Sequence, residues 1–205
     1  FVIAHRLFTV RHADVILDAA KRQALYDTVL IPILRDIADW AAAHPSQPVP
    51  VTAIDLINEP FFSTNLGQPS SQWTGATMAD IQVYVREAAA IVHQQLPGVP
   101  VTVGAVTAST LVAYWTDAAL GAATRNRQDF YSFHHFGAEP LEGPSSLRAQ
   151  FNLDRLGKRV YLQEFPGKAP PLGSLAAYLA PIGGTRGSRT SEGWLSGSWL
   201  WSLTG

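Results

Sequence analysis

Apolar residues are spaced along this chain in two ways, as steps of four and as short unbroken runs. Leu25, Val29, Ile33, Ile37 and Ala41 recur every fourth residue, with Tyr26, Leu30 and Leu34 beside them. That spacing is the buried stripe of a helix and predicts one over about 19–44. Asp18 is placed to cap it, and Pro32 to kink or split it. The run from Val51 to Ile57 is mostly apolar and rich in β-branched residues, which predicts a strand covered on both faces. Pro60 has no N–H for a ladder, so that strand ends before it and leaves Asn58 and Glu59 at its C-terminal end. Thr77 and Asp80 resemble a capping box ahead of the helical face Ile81, Val85, Ala88 and Val92, which stops at Leu96, Pro97 and Gly98.

The second half of the chain repeats the alternation. Val99 to Thr107 predicts a strand, and Ser109 opens a short helix through Leu111, Val112 and Trp115. Asp129 to His135 predicts another strand, with His134 and His135 at its end. Ser145 or Ser146 caps a helix ending near Gly157. Arg159 to Gln163 predicts a strand that delivers Glu164 just before Phe165 and Pro166. A weak helix around 175–179 and a Gly/Ser/Arg-rich loop lead to a last strand, Gly197 to Leu203, carrying Trp199 and Trp201. At the other end, residues 1–4 read as the tail of a strand. The polar stretch with His5, Arg6, Arg11, His12 and Asp14 reads as a loop.

Strand centres fall near positions 54, 103, 132, 162 and 200, so successive strands lie roughly 30 residues or more apart, the length of a strand–helix–strand unit. Strict alternation implies parallel strands with right-handed crossovers. The expected fold is α/β: a shortened (β/α) barrel of the TIM type with about six parallel strands. At 205 residues the expected organisation is one domain over 1–205.

Composition narrows the function. Hydrophobic residues make up 47% of the chain and charged residues 15%, which excludes a disordered chain. The net charge of −1 comes with no basic block, so nothing recommends nucleic acid as a partner. The absence of cysteine removes disulfides, zinc–thiolate sites and thiol catalysis, and says little about compartment. No apolar run reaches the roughly 18 residues of a membrane span. The N-terminus lacks a basic region and a long apolar core, so no signal peptide is visible, and secretion stays open. It also lacks an initiating Met, as expected of a processed chain or a piece of a longer one.

Parallel strands bring their C-terminal ends to one rim, where such folds keep their chemistry. Here those ends carry Asn58 and Glu59, His134 and His135, Glu164, and Trp201. Two carboxylates facing one another can divide acid and base labour, because ionising one disfavours ionising the other. Glycoside hydrolysis needs that division, with an acid on the leaving oxygen and a nucleophile or base across the sugar. Trp201, and Trp73 in the loop after Glu59 with Phe61 and Phe62, are candidate sugar platforms. A metal would want Glu59, Glu164 or Asp14 as co-ligands of the histidines. Neighbouring strand residues point to opposite faces, so His134 and His135 do not readily share one ion, and no metal or other cofactor is expected. Glu139 and Glu142 read as solvated carboxylates.

Taken in order, Asn58-Glu59-Pro60, His134, Gln163-Glu164 and Trp199/Trp201 resemble glycoside hydrolase clan A, especially the family 5-like cellulases and mannanases. The resemblance implies a retaining mechanism with Glu59 as acid/base and Glu164 as nucleophile. It implies Asn58 on the sugar 2-hydroxyl, a histidine near the nucleophile and a last-strand Trp stacking on a sugar. The expected activity is cleavage of a β-linked glucan or mannan, endo-β-1,4-glucanase-like, with a carbohydrate as the partner. A non-catalytic carbohydrate-binding remnant is the alternative. In the register of that family, residue 1 falls near the third strand, so two β/α units and an arginine beside the nucleophile are missing. The family's tyrosine after the strand-six histidine is replaced by His135 and Phe136. Six isolated units would leave two open sheet edges, which a homodimer could complete.

Overall fold

The computed structural model describes residues 2–4, 13–49, 51–64, 75–124, 126–166, 172–182 and 195–198. In chain order the elements are β1 (Val2–Ala4), α1 (Ala13–Leu17), α2 (Ala19–Leu25), α3 (Ile31–Ala43), β2 (Val51–Asn58), α4 (Met78–Gln95), β3 (Val101–Ala105), α5 (Ala108–Thr110), α6 (Asp117–Leu120), β4 (Tyr131–His134), α7 (Leu147–Phe151), β5 (Val160–Glu164), α8 (Leu175–Leu179) and β6 (Leu195–Ser198). The strands are hydrogen-bonded in chain order, from β1 to β6. The chain divides into two compact units, one of residues 1–103 with 117–129 and the other of residues 104–116 with 130–205.

In the first unit β1 and β2 pair in parallel, Val2 beside Val51 and Ala4 beside Ile54. Residues Ala53 to Ile57 of β2 are all buried, as expected of a strand covered on both faces. α4 buries Ile81, Tyr84, Val85, Ala88, Ala89 and Val92, and the Tyr84 hydroxyl donates to the Leu56 carbonyl at 3.3 Å. Its capping box forms: Thr77 N–H donates to Asp80 Oδ2 at 2.8 Å, and Asp80 N–H donates to Thr77 Oγ1 at 3.3 Å. The anticipated long helix is divided at Pro32. Asp18 caps α2 through the N–H groups of Ala20 and Lys21, and a π-helical turn over Tyr26–Leu30 joins α2 to α3. There Ile31 N–H reaches back to the Tyr26 carbonyl. The wider turn shifts the ladder so that Pro32 falls in the first turn of α3, where its missing donor costs nothing.

Two further arrangements hold this unit together. Arg22 is buried, and its guanidinium donates to both Glu87 carboxylate oxygens, at 2.9 and 3.3 Å, and to the Ile16 carbonyl at 2.6 Å. The Tyr26 hydroxyl adds a 3.0 Å bond to Glu87. The Glu87 contact holds the Arg22 pKa above its ordinary value; burial first, and then Glu87, raises that of Tyr26. At the start of β3, side chains stand in for a neighbouring strand. Asp129 Oδ2 accepts from Val101 N–H and Gln128 Oε1 from Val103 N–H, both at 2.8 Å.

In the second unit, the end of β3 pairs with β4 (Gly104 beside Ser132), β4 pairs with β5, and β5 with β6, all in parallel. Leu111, Trp115, Phe133, Leu141, Leu153, Leu162 and Tyr178 are buried. Several boundaries differ from expectation. Asp14 lies in α1 instead of a loop. The strand expected over 99–107 is Val101–Ala105, because Thr107 turns to cap α5 through Thr110 N–H. The strand expected over 129–135 covers Tyr131–His134, since Asp129 and Gln128 serve β3. The helix capped by Ser146 ends at Phe151, where Asn152 turns left-handed (φ 50°). His5, Arg6, Arg11, His12, Trp199 and most of the last expected strand lie outside the described residues.

Among the described residues no helix is long and apolar enough to cross a membrane. Removing the buried guanidinium should be felt throughout the first unit. Arg22→Ala is expected to destabilise the protein by about 2 kcal/mol in urea unfolding, because its charge-assisted bonds to Glu87 and its bond to the Ile16 carbonyl are lost. An unchanged midpoint would show the network to be decorative.

Candidate active site

In the first unit the site residues stand where β2 stops. Asn58 is its last residue and Glu59 follows; both are half-buried. Glu59 is held at φ 48°, ψ 49°, in the left-handed region that a non-glycine residue enters at a cost of about 1 kcal/mol. The reversal feeds the chain into a tight turn, Pro60–Ser63, closed by Phe62 N–H on the Glu59 carbonyl at 3.1 Å. Phe61 and Phe62 meet edge to face, and Phe62 is 45% exposed. Trp73 lies outside the described residues.

In the second unit β4 and β5 deliver their ends side by side. His134 is fully buried and Glu164 is 4% exposed. They are register partners, and His134 Nδ1 lies 3.7 Å from Glu164 Oε2, beyond a direct hydrogen bond but well within reach of charge. His135 turns the other way. Its Nε2 donates to the Glu139 carbonyl at 2.8 Å, and its ring lies 5.8 Å from that of Tyr178, which stacks on Phe165 at 4.8 Å. The two histidines therefore do not converge on one ion. His135 also serves through its main chain, donating N–H to the Glu164 carbonyl at 2.9 Å. Burial pushes the His135 pKa below its ordinary value, with Glu139 opposing. Glu139 and Glu142 are exposed, as expected; Glu142 pairs with Arg148 at 3.3 Å. Trp201 lies outside the described residues.

Three residues here were not singled out as site candidates from the sequence. Ser132 and Gln163 are buried and joined by a 2.6 Å hydrogen bond, the serine hydroxyl donating. Phe136 is 44% exposed, with its ring edge-on to that of His134 at 6.4 Å. A polar residue inside an otherwise apolar strand, as Ser132 and Gln163 both are, was the available signal.

No protein-family model matches the sequence, and no curated protein matches it. Solved structures do. The endo-1,4-β-mannanase of Eisenia fetida is similar with a TM-score of 0.67 and 23% identity, over 96% of this chain and 57% of its own. The β-mannanase of the blue mussel Mytilus edulis gives 0.67 and 21%, over 93% and 57%. The β-1,4-D-mannanase of Cryptopygus antarcticus gives 0.68 and 16%, over 94% and 56%. These likenesses establish an α/β fold shared with such enzymes, and the chain spans a little over half of their length.

Two outcomes test this local geometry. Glu59→Gly, which removes the left-handed strain, is expected to unfold at the wild-type urea midpoint or above it. Glu59→Val should lose about 1–2 kcal/mol, since a β-branched residue tolerates that backbone poorly. Equal losses would show that Glu59 is not strained. Burial favours the neutral ring of His135 in the folded chain, whereas in the unfolded chain it takes a proton near pH 6.5. Its contribution is complete above that pH and is lost as pH falls through it toward the lower folded value. Melting temperature should therefore drop on acidification below about pH 6.5, and His135→Gln should flatten part of that drop. Parallel curves would contradict the assignment.

Proposed function

We propose that this chain belongs to a retaining β-glycosidase acting on β-linked mannan, with β-glucan as the nearest competing substrate. The observation that carries the reading is the pairing of His134 with Glu164, which sets a nearly sealed carboxylate at the end of a parallel strand. The strained Glu59 at the end of β2 supports it, because backbone strain persists where the position of a side chain matters. The similarity to β-mannanases favours mannan over glucan.

In this reading Glu59 and Glu164 divide between them the two carboxylate roles of a retaining mechanism. Glu164 attacks the anomeric carbon while Glu59 donates its proton to the departing oxygen. The glycosyl-enzyme ester then breaks as Glu59 takes a proton from water, whose oxygen bonds to the anomeric carbon and releases Glu164. Asn58 holds the sugar 2-hydroxyl. Phe62 and Phe136 are large and exposed, which suits them to pack on sugar rings; Trp73 and Trp201 are assigned the same part from the sequence alone.

The test is hydrolysis of β-1,4-mannan and β-1,4-glucan by wild type, Glu164→Gln and Glu59→Gln. Wild type is expected to cleave mannan faster, and each variant to lose about 1000-fold or more while still binding manno-oligosaccharides. Undiminished hydrolysis in both variants would discard the assignment. Binding without turnover in wild type would mark a carbohydrate-binding chain instead.

A further inference from the structure

The pairing of β4 with β5 slips by one residue just before Glu164. Ser132 stands beside Tyr161 and Phe133 beside Leu162, but His134 stands beside Glu164, which leaves Gln163 as the extra residue. Residues paired across a sheet point to the same face, and faces alternate along each strand. Ser132 and His134 share one face; Phe133 and His135 share the other. By alternation from Leu162, Gln163 points to the Ser132 face, and its 2.6 Å bond to Ser132 agrees. A regular strand would then turn Glu164 to the opposite face, where His135 packs against Tyr178. Instead Glu164 lies 3.7 Å from His134, and Phe165 takes the opposite face, stacked on Tyr178. One extra residue has exchanged the two side chains.

We propose that Gln163 is a positioning residue: tied to Ser132, it fills the extra place in β5 that turns Glu164 onto the face of His134. The bond is well suited to that duty. Both partners are buried, so loss of either removes a bond that bulk water does not replace. A leucine at position 163 would suit the apolar strand but would remove the anchor.

The inference rests on the reading of Glu164 as the nucleophile, and its test keeps the two apart. Gln163→Leu, Ser132→Ala and Ser132→Thr are compared with wild type by kcat and KM on manno-oligosaccharides, by melting temperature, and by crystal structures. Gln163→Leu and Ser132→Ala should lower kcat by tenfold to ~100-fold, the penalty of a misplacement of about 1 Å, with KM changed little. Ser132→Thr, which keeps the hydroxyl, should recover most of the rate. The crystal structures should show His134 and Glu164 no longer paired in the first two variants. Unchanged kcat, or Ser132→Thr no better than Ser132→Ala, would overturn the inference. If wild type hydrolyses nothing, the reading of Glu164 fails by itself, and the crystal structures still decide: an intact His134–Glu164 pairing in Gln163→Leu overturns the proposal.

Discussion

The one-residue slip between β4 and β5 is the constraint on which the rest of the second unit depends. Side chains in a strand alternate strictly, so a slip reverses every assignment beyond it. Here it sends Glu164 toward His134 and Phe165 toward Tyr178, an acid to one face and an aromatic to the other. Neither placement would tolerate the exchange: a carboxylate against the stacked rings would be buried without a partner, and the phenyl ring would fill the space beside His134. His135 fixes the same point from the main chain through its N–H on the Glu164 carbonyl. The second unit thus spends a backbone irregularity on one side chain.

The first unit does something comparable by different means. β2 shifts register against β1 between Val51 and Ile54, but the irregularity at its end falls on Glu59 itself, whose left-handed backbone turns the chain into Pro60. Around it the unit is held by groups that leave few buried donors unmet. Arg22 joins α2 to α4 through Glu87, and Gln128 and Asp129, just ahead of β4, supply β3 with side-chain acceptors. The strain at Glu59 is small against that support, which is how a strained residue persists in a folded protein.

Much of this was legible in the sequence, and the illegible part has a physical pattern. The apolar runs located β2, β4 and β5, and the four-residue spacing located α2 through α4, because burial imposes periodicity. Asp18 and the Thr77–Asp80 pair announced their helix starts, because capping is local. The placement of Asn58, Glu59, His134 and Glu164 at or just beyond strand ends followed from the same runs. Hidden from the sequence were the features that tertiary contacts decide. Asn152 gave no sign of ending α7 early, and Gln128 and Asp129 read as the start of a strand while they serve another. The slip at Gln163 was invisible, since a glutamine before a glutamate carries no mark of which face each will take. Pro32 lay between these cases: a break was foreseeable, and its form as a π-helical turn was not.

The account stands on Glu164 acting as a nucleophile, and covalent capture tests that most directly. A 2-deoxy-2-fluoro glycoside of a manno-oligosaccharide, which slows release of a glycosyl-enzyme more than its formation, would be incubated with the protein. The digested protein would then be weighed peptide by peptide. A sugar adduct on Glu164, absent when Glu164 is replaced by Gln, is the predicted result. Turnover of mannan without any adduct, or an adduct on another carboxylate, would contradict it.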